Sequence, residues 1–356
     1  MQTHLKGRGA QERVHNKFAS EKHEWLDDFL EYCSKEQEDF ESNKTRYLTV
    51  YPKSFVNPVT SPDVGMQFSA NPYQGCEHGC VYCYARNSHE YWGYGAGLDF
   101  ERVIMVKKNA PELLIKKLKS KKWEPSPIVL SGNTDCYQPA EKKFELTRKC
   151  LQVLLDWKHP VGIITKNSLV LRDLDLLKEL ASHNLVQVVI SITSLSEKTR
   201  RLLEPRTATI KKRLQTVETL AANNIPVMVM MAPIIPSLNS HEILPLAKTV
   251  ADAGALRIGH TIVRLNGQLE QIFSAWLKAA LPDRAERILN QIADCHGGQV
   301  NSSEFGTRMR GQGAIATQIN DLIALAKKQY FPSAEKPKLR TDLFTNPYEN
   351  QLKLFD

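Results

Sequence analysis

The sequence predicts an α/β fold in which six β-strands alternate with helices over residues 66–281, as an α/β barrel or a doubly wound sheet. The apolar runs at 161–165, 186–192, 226–232 and 256–263 are rich in Val, Ile and Met without polar alternation, as strands buried on both faces of a parallel sheet require. Segments of helical periodicity separate them. Polar residues collect where the strands end, at Cys76, Thr134, Asp135, Lys166, Ser191 and Thr193. Both architectures place their active site at that end.

Residues 1–65 read as an N-terminal extension, flexible in part, and Lys6-Gly7-Arg8-Gly9-Ala10 is expected to be a mobile basic segment. Within 20–40, Trp25, Leu26, Phe29, Leu30 and Tyr32 predict one helix, on which Cys33 reads as an inert thiol. Pro58 and Pro62 keep 57–63 extended or turning. The first strand of the alternating unit is 66–73, and it runs into a cysteine-rich loop. Helix 111–122, strand 127–131 and helix 142–157 follow, the last with Phe144, Leu146, Cys150, Val153 and Leu154 on its apolar side. Strand 161–165 leads to helix 172–182, and strand 186–192 leads through a short turn at 197–203 to helix 211–223. Strands 226–232 and 256–263 are followed by helices 241–253 and 269–280. Helices at 283–295 and 314–330, joined by glycine-rich stretches, predict a C-terminal helical cap over 282–331. Residues 332–356, rich in Pro, Lys and Asn, are expected to be a disordered tail.

The chain has 356 residues, of which 42% are hydrophobic and 24% charged, an ordinary globular balance with room for a barrel-sized core. A net charge of +8 suits an anionic partner such as nucleic acid. Seven cysteines, three of them in one loop, argue against the disulfide framework of a secreted domain. No apolar stretch follows Met1, and runs such as 227–235 are too short for a bilayer. A reduced, soluble, cytoplasmic protein with no membrane partner is therefore expected.

The loop reads Asn71-Pro72-Tyr73-Gln74-Gly75-Cys76-Glu77-His78-Gly79-Cys80-Val81-Tyr82-Cys83, a Cys-x3-Cys-x2-Cys spacing with an aromatic before the third cysteine. Gly75 and Gly79 let the backbone wrap tightly. Structural zinc normally takes two ligand pairs, yet no second Cys-x2-Cys exists, and Cys33, Cys136, Cys150 and Cys295 are scattered. An iron–sulfur cube usually takes four thiolates, so three leave one iron open. S-adenosylmethionine, a cofactor of radical chemistry, can chelate such an iron through its amino and carboxylate groups.

Cys76-x3-Cys80-x-Tyr82-Cys83 resembles the signature of the radical S-adenosylmethionine superfamily. The resemblance implies a partial (β/α)6 barrel of TIM type and a [4Fe–4S] cluster on Cys76, Cys80 and Cys83. It also implies reductive cleavage of S-adenosylmethionine to a 5′-deoxyadenosyl radical, fed by a reductant such as flavodoxin or ferredoxin. A narrower resemblance spans residues 6–330. Asn71-Pro72-Tyr73-Gln74-Gly75-Cys76, Thr134-Asp135-Cys136-Tyr137-Gln138-Pro139, Thr165-Lys166 and Leu171-Arg172-Asp173 are similar to spore photoproduct lyase-related radical enzymes. So are Glu204-Pro205-Arg206, Ala232-Pro233-Ile234-Ile235-Pro236 and Arg308-Met309-Arg310-Gly311. This implies a lyase or nucleic-acid-modifying enzyme of the DNA repair kind.

The same resemblance implies roles for individual residues. Thr134 and Asp135 match a Ser-Asp pair at the cofactor's methionine end, where a carboxylate pairs with the ammonium; a capping Asp after a strand is the plainer alternative. Lys166 matches a lysine that reaches the methionine carboxylate, with a solvated surface lysine as its alternative. Ser191, and Thr193 as second choice, fall near the ribose, and Tyr82 near adenine. Cys136, with Tyr137 beside it, is the candidate catalytic position. The lyase's hydrogen-donor cysteine precedes its Ser-Asp pair, however, whereas Cys136 follows Asp135 and points to another face. Arg206, Arg308 and Arg310 are candidate contacts to a substrate anion. Gln351, Leu352, Leu354 and Phe355 resemble the peptide with which bacterial replication and repair proteins dock on the DNA sliding clamp. Two other functions stay open: modification of a protein or small molecule, and a non-catalytic cluster protein recruited to the clamp.

Overall fold

The computed structural model describes residues 7–12, 14–18, 44–332 and 337–348. The helix expected within 20–40, with Cys33, and the peptide at 351–355 lie outside the described residues. Among the described residues ten strands form two sheets. The first five are β1 (Arg46–Val50), β2 (Val56–Pro58), β3 (Phe68–Ala70), β4 (Tyr73–Gln74) and β5 (Val103–Lys107). The others are β6 (Ile128–Leu130), β7 (Val161–Thr165), β8 (Val186–Ser191), β9 (Val227–Ile234) and β10 (Arg257–Ile262). The larger sheet has the order β10-β9-β8-β7-β6-β3-β2. From β3 to β10 every pairing is parallel, and β2 adds antiparallel to β3 at one edge. Strand order follows chain order without the reversal that defines a doubly wound sheet. β10 and β2 stay unpaired at opposite ends, so the sheet is an open, partial barrel.

Five of the six expected strands are present as single strands, because parallel strands need long crossovers and the intervening helices supply them, whereas the first, 66–73, divides into β3 and β4 in different sheets. Helices Leu174–Ser182, Ile210–Ala222 and Ile243–Asp252 bury Leu177, Leu180, Val217, Leu220, Leu246 and Val250 against the sheet. The helix expected at 142–157 is two pieces, Glu141–Phe144 and Leu146–Asp156, because Glu145 adopts a left-handed φ of 53°. The Glu141 carboxylate accepts from the backbone N–H groups of Thr147 and Arg148 at 3.0 and 3.3 Å. It thereby satisfies amides that have no partner inside the second helix.

Two expectations are corrected, and one sheet was not foreseen. The small sheet β1-β5-β4 is built from strands of two to five residues, too short to show a period of their own. The basic segment near the N-terminus is not mobile at its centre: Arg8, Gly9 and Ala10 are buried. The tail is ordered over 337–348, where Phe344 and Tyr348 pack on Trp157 with ring centroids 5.8 and 6.0 Å away. Backbone bonds from Arg340 to Asn184 and from Thr345 to Trp157 fix it at the N-terminal ends of β7 and β8. The C-terminal helices pack into the body of the fold. Helix Gly313–Tyr330 enters the main core through Ile319 and Ile323, and Pro282–Asp294 enters a second core through Ile288 and Ile292.

β5 ends on Lys107, buried without a carboxylate partner among the described residues. Burial pulls its ammonium down to about 8. The folded value lies below the unfolded one, so from about pH 8 to pH 10 the unfolded chain binds more protons and stability rises with pH. Lys107→Met is expected to stabilise the protein at pH 7 by about 1–3 kcal/mol and to abolish that alkaline rise. Thermal unfolding of both proteins across this pH range checks it.

Candidate active site

The cysteine loop leaves β4 and meets residues at the C-terminal ends of β6, β7 and β8. Gly75 and Gly79 take φ of 78° and 66°. A Cβ on Gly75 would meet the Val103 carbonyl at 2.5 Å, and one on Gly79 would meet Glu101 Oε2 at 2.8 Å. The backbone N–H of Cys76 donates to the Phe100 carbonyl at 2.8 Å. Arg86 Nε donates to the Cys80 carbonyl at 2.9 Å, while Arg86 Nη2 pairs with buried Glu101 at 2.5 Å. Gln138 braces the loop twice, donating to the Gly75 carbonyl at 3.0 Å and accepting from the Glu77 N–H at 3.1 Å.

Cys76 and Cys80 are buried, Cys83 is half-buried, and all three are free thiols. Burial pushes the three thiols up, and Cys76 is raised further by Asp135, Cys83 and Cys80. All three sit within one tight turn of chain between Gly75 and Tyr84. Among the described residues no three His, Cys, Asp or Glu side chains are grouped to hold a metal ion. Soft thiols alone, without a fourth protein ligand, fit an iron–sulfur cluster and not a closed zinc site. A bound cationic centre would reverse the thiol titration and hold thiolates.

Two carboxylates organise what faces the loop. Asp135, after β6, accepts from Thr165 Oγ1, the Lys166 N–H and the Tyr137 N–H, each at 2.8 Å. His78 of the loop lies 3.3 Å from it. Burial would raise the Asp135 carboxyl, but His78 and the two backbone donors outweigh it and hold it low. Glu204, fully buried, accepts from Tyr82 of the loop and from Thr193 at 2.9 Å, after β8. Lys166 Nζ sits 3.4 Å away and Arg213 Nη2 2.5 Å away. Here too burial would raise the carboxyl, and Arg213 followed by Lys166 hold it well below the usual range. Arg213 also donates to the Ser191 carbonyl at 2.9 Å.

The family model described as the radical SAM superfamily matches residues 70–250. The chain belongs to the radical SAM superfamily. It is 32% identical over 238 residues to an uncharacterized protein of Mycobacterium tuberculosis, covering 66% of this chain and 70% of that one. An uncharacterized protein of Methanocaldococcus jannaschii is 30% identical over 253 residues, covering 71% of this chain and 90% of the relative. Among solved structures, a double mutant of spore photoproduct lyase with bound AdoMet and dinucleoside spore photoproduct is similar, with a TM-score of 0.56 at 14% identity. That match covers 83% of this chain and 82% of the lyase, and it shows a shared fold. Radical SAM membership implies an iron–sulfur cluster and S-adenosylmethionine. No helix among the described residues is long and apolar enough to cross a membrane.

The radical SAM fold brings Tyr82, Lys166 and Thr193 together on Glu204, and joins Asp135 to the cysteine loop. Thr134 donates its hydroxyl proton to the Tyr73 carbonyl at 2.6 Å, tying β6 to the strand that launches the loop. Arg206 lies beside the loop, 3.6 Å from Glu77, and Arg310 is exposed. Three candidate residues are engaged by the protein itself. Cys136 is 1% exposed and packs inside the main apolar core. Tyr137 is fully buried, its hydroxyl donating to Asp173 at 3.0 Å. Arg308 is held by Asp63 and by Ser61 Oγ at 2.6 Å, so its charge serves to pin the 305–311 loop to residues 61–63. Glu204, Arg213, Arg86 and Glu101 were missed as organisers of the site. Glu204 opens the Glu204-Pro205-Arg206 motif and Arg86 follows the cysteine loop closely, but their partners come from positions far apart in the chain.

Proposed function

We propose that this radical SAM protein cleaves S-adenosylmethionine at a [4Fe–4S] cluster held by Cys76, Cys80 and Cys83, and directs the resulting radical at nucleic acid. The observation that supports the first part is a three-cysteine loop tied to the strand-end groups Asp135, through His78, and Glu204, through Tyr82, with Lys166 beside Glu204. When bound, the cluster supplies one electron that breaks the sulfonium carbon–sulfur bond and yields a 5′-deoxyadenosyl radical. Lys166 has three donors and its Glu204 contact uses one, leaving two for the methionine carboxylate. The Asp135 carboxylate, kept ionised, fixes Lys166 through its backbone and offers negative charge near the cofactor ammonium. Ser191 and Thr193 stand at the end of β8 for the ribose, and Tyr82 gives an adenine-sized flat neighbour.

The nucleic-acid part rests on the net charge of +8, on Arg206 and exposed Arg310, and on the exposed Phe305 ring of the same loop as Arg310. An aromatic face beside basic groups suits a stacked base and its phosphates. The spore photoproduct lyase of similar fold holds a dinucleoside. Anaerobic reconstitution with a reductant is expected to give 5′-deoxyadenosine, and an intact cluster that forms none overturns the reading. Binding to single-stranded DNA or RNA should weaken steeply with salt. Absent or salt-insensitive binding would move the substrate to a protein or a small molecule.

A further inference from the structure

We propose that the strap formed by residues 7–12 and 14–18 is a retention clasp for the iron–sulfur cluster, a proposal that rests on the cysteine loop being the cluster's ligand set. The strap lies outside the superfamily match, which begins at residue 70. It is nonetheless built into the back of the cysteine loop. The buried Glu101 carboxylate accepts from the backbone N–H groups of Gly9 and Ala10 at 3.1 and 2.8 Å. The same carboxylate pairs with Arg86, whose Nε holds the Cys80 carbonyl. Arg8 Nη1 adds a bond to the Glu101 carbonyl at 2.9 Å. One group therefore locks strap and ligand loop together.

The contact is backbone on backbone. A Cβ on Gly9 would fall 1.8 Å from the Gly79 carbonyl oxygen, the residue before Cys80, and 3.0 Å from Val81 Cγ1. Further along, Ala10 and Val14 pack with Ala96, Leu98 and Ile272 in a small apolar cluster. Asn16 Nδ2 donates to the Glu90 carbonyl at 2.8 Å and to the Tyr94 carbonyl at 3.3 Å. Gln268 and Gln271 donate to His15 O and Glu12 Oε1 at 3.4 and 3.1 Å. The strap thus joins the cysteine loop to helix Leu269–Ala280, which follows the last strand. With the strap released, the outer face of Gly79–Cys80 would open to water, chelators and oxidants by local unfolding while the rest of the fold persists.

The test uses full-length protein, reconstituted anaerobically, in four forms: wild type, Gly9→Ala, Asn16→Ala, and the control Gly65→Ala, where an added Cβ meets nothing within 4 Å. Iron and sulfide content are measured, followed by the decay of cluster absorbance under a ferrous chelator and the melting temperature of the apoprotein. Gly9→Ala is expected to lose its cluster about tenfold faster, and Asn16→Ala about threefold faster, the larger change corresponding to about 1.4 kcal/mol of lost contact. The control should match wild type, and apoprotein melting should hardly move, a combination that a merely structural role would not give. Decay at the wild-type rate in Gly9→Ala, with limited proteolysis showing the strap released, overturns the proposal. Should Gly9→Ala not fold, wild-type decay in Asn16→Ala overturns it equally. A wild-type protein that takes up no iron instead overturns the cluster reading beneath it.

Discussion

Glu204→Gln is expected to destabilise the protein by about 3–5 kcal/mol, the cost of breaking a buried ion pair, and to abolish measurable S-adenosylmethionine binding. The carboxylate is fully buried and serves Tyr82, Thr193, Lys166 and Arg213 at once. An amide of the same shape can keep its oxygen towards Tyr82, Thr193 and Lys166, but its NH2 then turns a donor towards Arg213. Buried Arg213 and half-buried Lys166 then lose their common counter-charge. Lys166 and Thr193, at the ends of β7 and β8, lose the fixed point that sets their distance from the loop. The pH dependence follows from the sign of the shift. The folded carboxyl is held well below the usual range, chiefly by Arg213 and then Lys166 against the cost of burial. Its stabilisation is present above the unfolded value of about 4.3 and is lost as pH falls towards the folded value. Wild-type stability should fall steeply below about pH 5, and the Gln variant should start lower and fall less. Chemical denaturation at several pH values, with calorimetric titration of the cofactor on reconstituted protein, measures both. A Gln variant as stable as wild type at pH 7 would remove Glu204 from this role.

Much of the fold was legible because its signals are local. The parallel strands announce themselves as apolar runs, since burial on both faces erases alternation, and Val161–Thr165 lies where that pattern put it. The cysteine loop was legible because three thiols at short spacing can serve little except a metal centre. What stayed hidden depends on contacts between distant positions. Glu204 meets Tyr82 across 122 residues, and Glu101 meets Gly9 across 92. No period or spacing encodes such pairs. Glycine was the one available hint, because Gly9, Gly79, Gly95 and Gly97 all lie where another backbone or carboxylate passes too close for a side chain. The two residues after Asp135 show the same limit. Cys136 and Tyr137 follow Asp135 directly, and the turn after β6 sends their side chains down into the core while Asp135 stays at the mouth. Proximity in sequence to a site residue is weak grounds for a role in the site.

That distinction has a large experimental signature, because the chain carries two kinds of buried thiol. Replacing Cys76, Cys80 or Cys83 with alanine removes one sulfur from a loop held by other atoms: Cys76 through its backbone N–H, Cys80 through its carbonyl. Losing one small apolar group should cost about 1–2 kcal/mol, so each apoprotein is expected to fold. Each should nonetheless hold almost no iron after reconstitution and form no 5′-deoxyadenosine, since two thiolates leave a cluster short of its protein ligands. Cys136→Ala, Cys150→Ala and Cys295→Ala remove sulfurs that pack in the main core. They should cost a similar amount of stability and leave iron content and cofactor cleavage near wild type. Iron analysis and product chromatography on all six proteins, with melting temperatures alongside, separate the two sets. If Cys136→Ala retained its cluster and cleaved the cofactor but no longer turned over substrate, the thiol would be a hydrogen donor after all. Its burial in this structure would then require the turn after β6 to open during catalysis.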